Sequence, residues 1–528
     1  MKGSLIRTDR GTSITDQPTL PAGRTTMAGP DPAREHDEKV ASGVCAGDAD
    51  MTEGNVAQPA PAPGPSASGP SASGPSAPGP FAPGSSAAPP LTSQAAARTG
   101  SRLGWLDLLR GIAALFVVFD HLSYYVLQQV RAEVYLGFDA GNFGVFVFFI
   151  ISGYIVPASL ERKGSVRTFW VSRLFRLYPL YLLAVGVAVA LYLVHFGSLR
   201  GEGSDPEASV LSQLLMMSNV LGGQNLPNVV WSLSYEMIFY LLITALFIAR
   251  VHKRSSWYGL GFAVAAVALG GLLPRAYFLH NLGTPRLIAL VADLAVLAGL
   301  ALAVVRRGMS RLLGAVLAAV VAIALLAFNG SWLYPWEALS ILALMFTGTM
   351  FYRAEQGQYP WPRAIAAGVG VLALTITAGV WHSHAWGMGP YAEFAYERRW
   401  VVTLVLAALT FGTALALRHV RWPRALTWLG LISYSVYLLH PLLIVALQHF
   451  RWTRLHHPFW LQVLMAAAFL AILIAVSSLT YLFVERPMQN VGRRVGRWLD
   501  ARFGPDRIPA QLPAAPRALA HSPHPATE

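Results

Sequence analysis

The fold is decided by the stretch Trp105-Leu-Asp-Leu-Leu-Arg-Gly-Ile-Ala-Ala-Leu-Phe-Val-Val-Phe-Asp-His121, which is apolar enough to cross a membrane yet carries Arg110 and His121. An ionisable group near the centre of a bilayer costs roughly 2.5–3.5 kcal/mol on insertion scales. A helix turns by about 100° and rises by about 1.5 Å per residue, so Arg110 and His121 share one face and lie roughly 16 Å apart along the axis. The stretch therefore predicts a transmembrane helix with two polar points on one face.

The composition of the whole chain extends this prediction. Of the 528 residues, 54% are hydrophobic and only 13% are charged, and the mean hydropathy is +0.46. After the first hundred or so residues the chain is a series of apolar runs, each close to the roughly 17–25 residues that cross a bilayer as a helix. Strands of a membrane barrel would instead alternate over about ten residues. The sequence thus predicts an all-α, polytopic integral membrane helix bundle.

The number of apolar runs predicts about 10–12 transmembrane helices. Two of the runs, 257–273 and 364–380, are short or rich in glycine, and a re-entrant segment is the alternative for each. The runs cover residues 105–129, 140–160, 178–196, 229–249, 257–273, 287–305, 312–328, 336–352, 364–380, 400–417, 425–447 and 460–484.

The distribution of charge predicts the orientation and excludes some partners. The net charge is +13, but Arg and Lys concentrate in alternate loops, as the positive-inside rule requires of a plasma membrane protein with both termini in the cytoplasm. No basic, aromatic-interleaved soluble domain is present, so nucleic acid is not an expected partner. The one cysteine, Cys45, lies outside the apolar region, which excludes internal disulfides and multi-cysteine metal sites. No metal site is expected.

Three domains are predicted. Residues 1–100 repeat a Gly-Pro-Ser-Ala theme without an apolar period, which is typical of a disordered tail, here on the cytoplasmic side. Residues 101–490 form the transmembrane domain. Residues 491–528 form a second cytoplasmic tail that is first basic and then disordered.

On this topology the polar groups inside the apolar runs fall into two sets. A cytoplasmic set comprises Arg110, Arg173, Arg176 and Glu485. An outer set comprises His121, Glu236 and His440, which we expect at similar depths. Because the two sets lie near opposite ends of the bundle, they predict a pathway with two ends.

Several motifs occur in order between residues 105 and 487, and together they resemble the acyltransferase-3 family of multi-pass membrane O-acyltransferases. That family modifies O-antigens, cell-wall sugars, periplasmic glucans, lipo-oligosaccharides and macrolides. The motifs are the Arg110-x10-His121 pair, Gly144-Val-Phe-Val-Phe-Phe-Ile-Ile-Ser152-Gly153-Tyr154, Arg173-Leu-Phe-Arg176-Leu-Tyr-Pro179, Trp231-Ser-Leu-Ser-Tyr-Glu236, Ser433-Tyr434-Ser-Val-Tyr437-Leu-Leu-His440 and Glu485-Arg-Pro487.

The resemblance implies acyl-CoA, most simply acetyl-CoA, as the co-substrate, with no permanently bound cofactor. It implies a carbohydrate or glycosylated acceptor, such as a cell-surface polysaccharide or a macrolide. The phosphates of CoA need cationic partners, and Arg supplies planar, bidentate donors for them. Arg110, Arg173 and Arg176 are therefore the candidate residues for binding acyl-CoA.

His121 is the candidate general base, because imidazole is the usual proton acceptor near neutral pH. It would take the proton of the acceptor hydroxyl as that oxygen attacks the thioester. Glu236 is the second candidate catalytic residue, either orienting His121 or binding the acceptor. The residues expected to support the site are Asp107, Ser152, Trp231, Tyr437, His440 and Glu485.

Each assignment has a structural alternative. Arg110 is also explained by an ion pair with Asp107, and Arg173 and Arg176 are also explained by anchoring at the cytoplasmic membrane surface. Glu236, in its protonated form, is also explained by packing between helices. His440 and Tyr437 are equally explained as packing residues, and Trp231 fits an interfacial aromatic belt. Glu485 is expected to fix the end of the last helix against cytoplasmic arginines. Ser152 and its neighbouring glycines are better explained as small residues that let helices approach closely than by a role of Ser152 as a nucleophile.

The rival function is a secondary transporter or lipid-sugar flippase, which also uses intramembrane charges along a substrate path. Transporters commonly contain internal repeats, whereas neither the Arg-x10-His element nor the Trp-Ser-Leu-x-x-Glu element occurs a second time in this chain. The sequence therefore favours the acyltransferase.

Overall fold

The computed structural model describes residues 91–194, 206–330, 333–383, 390–449 and 457–506, and these contain no strand. The first nine α-helices are α1 Leu91–Ser123, α2 Gln128–Gly137, α3 Ala140–Lys163, α4 Val166–Leu193, α5 Pro206–Leu214, α6 Ser218–Leu221, α7 Trp231–Ile248, α8 Ser255–Leu269 and α9 Tyr277–Asn281. The other nine are α10 Pro285–Val305, α11 Gly308–Phe328, α12 Pro335–Glu355, α13 Trp361–His382, α14 Pro390–Ala416, α15 Arg424–Leu431, α16 Ser433–His449, α17 Phe459–Thr480 and α18 Arg486–Phe503.

These helices confirm the predicted polytopic all-α bundle, and each of the twelve apolar runs overlaps at least one of them. Residues 91–100, which we assign to the N-terminal tail, begin α1. The rest of that tail and residues 507–528 lie outside the described residues, so their disorder stays a prediction.

Eight of the described helices are long and apolar enough to span a membrane, and nine if the bent pair α15 and α16 is one span. The predicted number was about 10–12. The difference comes partly from α1 and α12, which are long but interrupted by charge: α1 contains Asp107, Arg110 and Asp120, and α12 contains Glu337 and Arg353. Hydropathy alone undercounts helices whose polar groups face the protein interior.

Glycines bring the helices of the centre into close contact. A Cβ on Gly153 of α3 would lie 1.7 Å from the carbonyl oxygen of Met345, and one on Gly348 of α12 would lie 2.0 Å from that of Ile150. A Cβ on Gly144 would lie 2.4 Å from the Ala113 carbonyl oxygen of α1. The motif glycines of α3 therefore permit backbone contact with both α12 and α1, as small residues do between membrane helices.

The break between α15 and α16 is the second contact that positions α1. The two helices meet at an angle of 66°. A Cβ on Gly430 would lie 1.9 Å from the backbone oxygen of Asp107, so only glycine fits there. The Ser433 hydroxyl donates to the Gly430 carbonyl at 2.8 Å and stabilises the turn. This bend sets the start of α16 beside the part of α1 that carries Arg110.

The segment before α7 folds against the bundle. All four residues of α6, Ser218–Leu221, are buried. The Asn219 amide donates to the Tyr235 hydroxyl at 2.7 Å, and the Asn329 amide donates to the Val220 carbonyl at 2.8 Å. The first turns of α7 are consequently covered by protein instead of beginning at an exposed membrane surface.

Candidate active site

A cavity of about 90 Å³ lies between α1, α3, α4, α7 and α16. We call it the arginine cavity. Its polar lining consists of Arg110, Ser152, Arg173, Arg176, Ser232, Glu236, Tyr240, Ser433, Tyr434 and Tyr437. Its apolar lining includes Phe148, Phe149, Ile155 and Leu233.

The three arginines bring unpaired positive charge to this cavity. The Arg173 side chain is 7% exposed, and its guanidinium lies 5.4 Å from the Phe169 ring centre and 5.2 Å from that of Tyr240. The Nε atom of Arg173 is buried without a hydrogen-bond partner. Among the ion pairs of the described residues, none includes Arg110, Arg173 or Arg176. The cavity is therefore built to attract an anionic ligand.

Glu236 lies in the arginine cavity and not beside His121. Its Oε1 atom accepts hydrogen bonds from the Ser152 hydroxyl at 3.2 Å and from the Tyr240 hydroxyl at 2.5 Å. It also interacts electrostatically with Arg110 and Arg173. No hydrogen bond or ring contact in the described part of the chain joins it to His121. The structure therefore places Glu236 in direct contact with the arginine cavity, and its predicted grouping with the two histidines on the outer side stays a prediction.

The start of α7 is held by the segment that precedes it. The half-buried Trp231 ring packs edge-on against Tyr235, 6.0 Å between ring centres. The Tyr235 hydroxyl in turn accepts the hydrogen bond from Asn219 of α6. These contacts fix the first turns of α7, which carry Glu236.

His121 and His440 form a second site, which we call the histidine pair. Their ring centres are 5.1 Å apart and their planes make an angle of 61°. The Nδ1 atom of His121 lies 2.9 Å from the Val117 carbonyl oxygen, and that of His440 lies 3.1 Å from the Val436 carbonyl oxygen. A carbonyl oxygen only accepts, so each neutral ring carries its proton on Nδ1 and leaves Nε2 as a proton acceptor.

Tyr437 connects the two sites. It lines the arginine cavity, and its ring centre lies 6.1 Å from that of His440. Its hydroxyl donates to the Val229 carbonyl at 2.9 Å and lies 2.7 Å from the Ser232 hydroxyl. The fully buried Nε2 of His440 has no hydrogen-bond partner. A line of aromatic rings thus runs from the cavity through Tyr437 and His440 to His121.

The predicted supporting acids flank the arginines. Glu485 is 3% exposed, accepts a hydrogen bond from the Ser435 hydroxyl at 2.5 Å, and interacts electrostatically with Arg176 and Arg110. Asp107 interacts with the same two arginines. Both acids help to hold the arginine side of the bundle together.

Sequence reasoning missed four polar residues of the cavity: Ser232, Tyr240, Ser433 and Tyr434. Tyr240 follows Glu236 by four residues on α7, a spacing that places both side chains on one helix face and could have revealed the contact. Ser232 and Tyr434 stand inside the quoted motifs and were passed over because their charge-free side chains suggested no role. The Tyr434 hydroxyl donates to the Leu177 carbonyl at 3.0 Å.

The sequence profile of the acyltransferase-3 family, described as an acyltransferase domain, matches residues 103–292 and 287–482. This chain belongs to the acyltransferase-3 family. The match to the acyltransferase-3 profile includes every residue that lines the arginine cavity and both members of the histidine pair. Helix α18 lies beyond it.

Three relatives illustrate the range of the family. "Acyltransferase MdmB" of Streptomyces mycarofaciens is 31% identical over 32% of this chain and 46% of its own length. "Nodulation protein 10" of Rhizobium leguminosarum bv. viciae is 28% identical over 33% of this chain and 51% of its own. "Putative peptidoglycan O-acetyltransferase YrhL" of Bacillus subtilis (strain 168) is 23% identical over 74% of this chain and 55% of its own. The chain spans about half the length of these curated relatives. No solved structure matches it.

Proposed function

We propose that this chain is a plasma membrane O-acyltransferase that moves an acyl group, most simply acetyl, from acyl-CoA to a hydroxyl of a carbohydrate or glycosylated acceptor. The observation that carries the proposal is the arginine cavity: three arginines without an ion-pair partner among the described residues line it, inside the part of the chain that matches the acyltransferase-3 family. Transfer to a sugar hydroxyl is supported by the peptidoglycan acceptor in the name of one relative.

The arginine cavity holds the acyl donor. Guanidinium groups form charge-assisted hydrogen bonds with phosphate or with the polarised thioester oxygen, and these are stronger than neutral ones. Glu236 balances the charge of the arginines and, through the Ser152 and Tyr240 hydroxyls, holds the cavity in shape. Because Glu236 touches the cavity and not the histidine pair, its proposed role is to organise the donor site.

The histidine pair supplies the base. His121 donates its Nδ1 proton to the Val117 carbonyl, which leaves Nε2 free to take the proton of the acceptor hydroxyl. The acceptor oxygen then attacks the thioester carbonyl carbon, the carbon–sulfur bond breaks, and the CoA thiolate leaves and takes up the proton. His440 packs against His121 and positions its ring.

The two sites set the direction of transfer. Arg110 lies in the cavity and His121 in the histidine pair, roughly 16 Å apart along α1. With both termini in the cytoplasm, the donor enters from the cytoplasmic side and the acceptor meets the histidine pair nearer the outer side. The bilayer and these two substrates are the proposed partners.

The test is transfer of labelled acetyl groups from acetyl-CoA in membranes that contain the wild type or the His121→Ala variant. We expect His121→Ala to lower the rate by about 100-fold or more, the usual loss when a general base is removed. A matched control is His457→Ala, which changes a histidine of the α16–α17 connection.

Two results would contradict the proposal. Full transfer by His121→Ala would remove His121 from the role of base. A wild type that never consumes acetyl-CoA, yet moves a solute across the membrane, would favour the transporter.

A further inference from the structure

A second recess, separate from the arginine cavity, opens between the end of α3, the start of α4 and α18. Its volume is about 500 Å³. Its walls include Lys163 of α3, Ser172 of α4, and Arg493, Arg494 and Arg497 of α18. We call it the basic recess, because four of these five side chains are cationic.

Helix α18 has the character of a helix that lies along a membrane surface. Its arginines occupy the face that lines the basic recess, whereas Val491 and Trp498 are exposed on another face. An amphipathic helix with arginines on one face and Trp on the other typically lies in the headgroup region. The basic recess is therefore at the membrane surface, where a water-soluble anion can reach it.

The position of α18 is fixed by a latch at its C-terminal end. The buried Asp506 accepts two hydrogen bonds from the Arg311 guanidinium, at 2.7 and 3.2 Å, and one from the backbone N–H of Arg167 at 3.0 Å. Arg167 also donates to the Gly504 carbonyl at 3.0 Å. A Cβ on Gly492 would lie 2.6 Å from the Phe175 Cβ, so α18 packs directly on α4. The recess is thus held open in a defined shape.

The latch uses Arg167 and Arg311 but leaves the recess arginines unpaired. Among the ion pairs within the described ranges, none includes Arg493, Arg494 or Arg497. Asp500 is the acid of the recess, and its carboxylate lies 3.8 Å from the Arg167 guanidinium. Among the described residues it forms no ion pair with the three recess arginines. With four cationic side chains and one acid in its lining, the recess carries net positive charge.

The basic recess and the arginine cavity adjoin each other. Ser172 lines the recess, and the next residue, Arg173, lines the cavity. Lys163 donates to the Ser172 hydroxyl and lies within electrostatic range of both Arg173 and Arg176. Positive charge consequently runs without a break from the membrane surface into the bundle.

We propose that the basic recess binds the phosphates at the nucleotide end of the acyl donor, while the thioester arm passes through the arginine cavity towards the histidine pair. This inference rests on the proposed use of acyl-CoA. The acyl donor is a phosphorylated nucleotide joined to a narrow thioester arm, so its charges lie at one end. The basic recess suits the charged nucleotide, and the arginine cavity suits the narrow arm. A lipid headgroup would account for the arginines of α18 but not for the continuity with the cavity.

The test compares the triple variant Arg493→Gln, Arg494→Gln and Arg497→Gln with a control that removes three exposed arginines elsewhere, Arg421→Gln, Arg424→Gln and Arg502→Gln. Both proteins are purified as the full chain in detergent, and matching thermal unfolding excludes misfolding. Calorimetry measures the binding of adenosine 3′,5′-bisphosphate, and kinetics measure KM for acetyl-CoA and for acetyl-pantetheine, which lacks the nucleotide.

We expect the recess variant to weaken nucleotide binding and to raise KM for acetyl-CoA by at least about tenfold, since several charge-assisted phosphate contacts are lost. KM for acetyl-pantetheine should not change, and the control should resemble the wild type. This pattern would support the recess as the nucleotide site.

Three other outcomes are decisive. If the recess variant transfers acetyl groups with unchanged KM and nucleotide affinity, the recess proposal fails while the acyltransferase survives. If the recess variant loses transfer from acetyl-CoA and from acetyl-pantetheine equally, and does so only in vesicles with anionic lipid, the recess is a lipid site and the proposal is overturned. If the wild type binds the nucleotide through the recess but transfers nothing, the recess stands and the proposed function fails.

Discussion

The arginine cavity and the histidine pair share helix α1 but differ in construction. The cavity has a volume of about 90 Å³ and is lined by three arginines that lack an ion-pair partner among the described residues. The histidine pair is packed: His440 is fully buried, and each ring is tied to the carbonyl one turn earlier on its own helix. One site has room and charge, whereas the other has fixed rings and little room.

This difference indicates a division of labour. Unpaired charge inside a membrane protein is costly and is retained where a ligand of opposite charge or water reaches it. A ring whose tautomer is fixed by a backbone carbonyl is instead suited to receive a proton at a defined atom. We therefore assign binding of the donor to the cavity and proton transfer to the pair, and the following substitutions test that assignment.

Among substitutions that leave the proposed base in place, the largest effect is expected for Glu236→Ala. The variant removes the acceptor of the Ser152 and Tyr240 hydroxyls and leaves the arginines with less compensating charge. We expect kcat/KM for acetyl-CoA to fall about 100-fold, because two hydrogen bonds to a charged group are lost at about 1.5–3 kcal/mol each, partly offset by relaxation. Glu236→Gln, which keeps a hydrogen-bond acceptor, should lose less. Equal losses in the two variants would mean that the negative charge of Glu236, and not its hydrogen bonds, is what the cavity needs.

A smaller effect is expected for His440→Gln. This substitution removes the ring that packs against His121 but leaves the proposed base in place. We expect kcat to fall about tenfold with KM for acetyl-CoA unchanged, since the base would be less well oriented. Steady-state kinetics in membranes measure both constants. A loss as large as that of His121→Ala would make His440 the base and His121 its support.

The smallest effect is expected for Ser152→Ala. Its hydroxyl supplies one of the two hydrogen bonds to Glu236, and Tyr240 retains the other. Activity should therefore fall by less than about tenfold, consistent with about 0.5–1.5 kcal/mol for one ordinary hydrogen bond. A complete loss of activity, together with loss of a trapped acyl-enzyme, would instead identify Ser152 as a nucleophile.

Much of the cavity could be predicted from the sequence. Arg110 was visible because a charge inside an apolar run is conspicuous, and Arg173 and Arg176 were visible because their spacing and position at the helix start fit a cationic site. The pairing of His440 with His121 also follows from placing both residues in outer halves of their helices. These predictions concern helices whose ends the sequence locates well.

The inward fold of residues 206–230 could not be predicted. Their composition indicates an exposed outer loop, but they pack on the bundle through Asn219 and Asn329. The latch of α18 was equally hidden, since Asp506 lies in a segment whose composition predicts a tail. Long-range contacts of single polar residues leave no periodic signal in one sequence.

The most direct test of the division of labour is a comparison of two variants, Arg173→Gln and His121→Gln, by steady-state transfer of acetyl groups over a range of acetyl-CoA concentrations. We predict that Arg173→Gln raises KM for acetyl-CoA about tenfold while kcat changes little, and that His121→Gln lowers kcat about 100-fold or more while KM changes little. The reverse pattern, with KM following His121 and kcat following Arg173, would contradict the account.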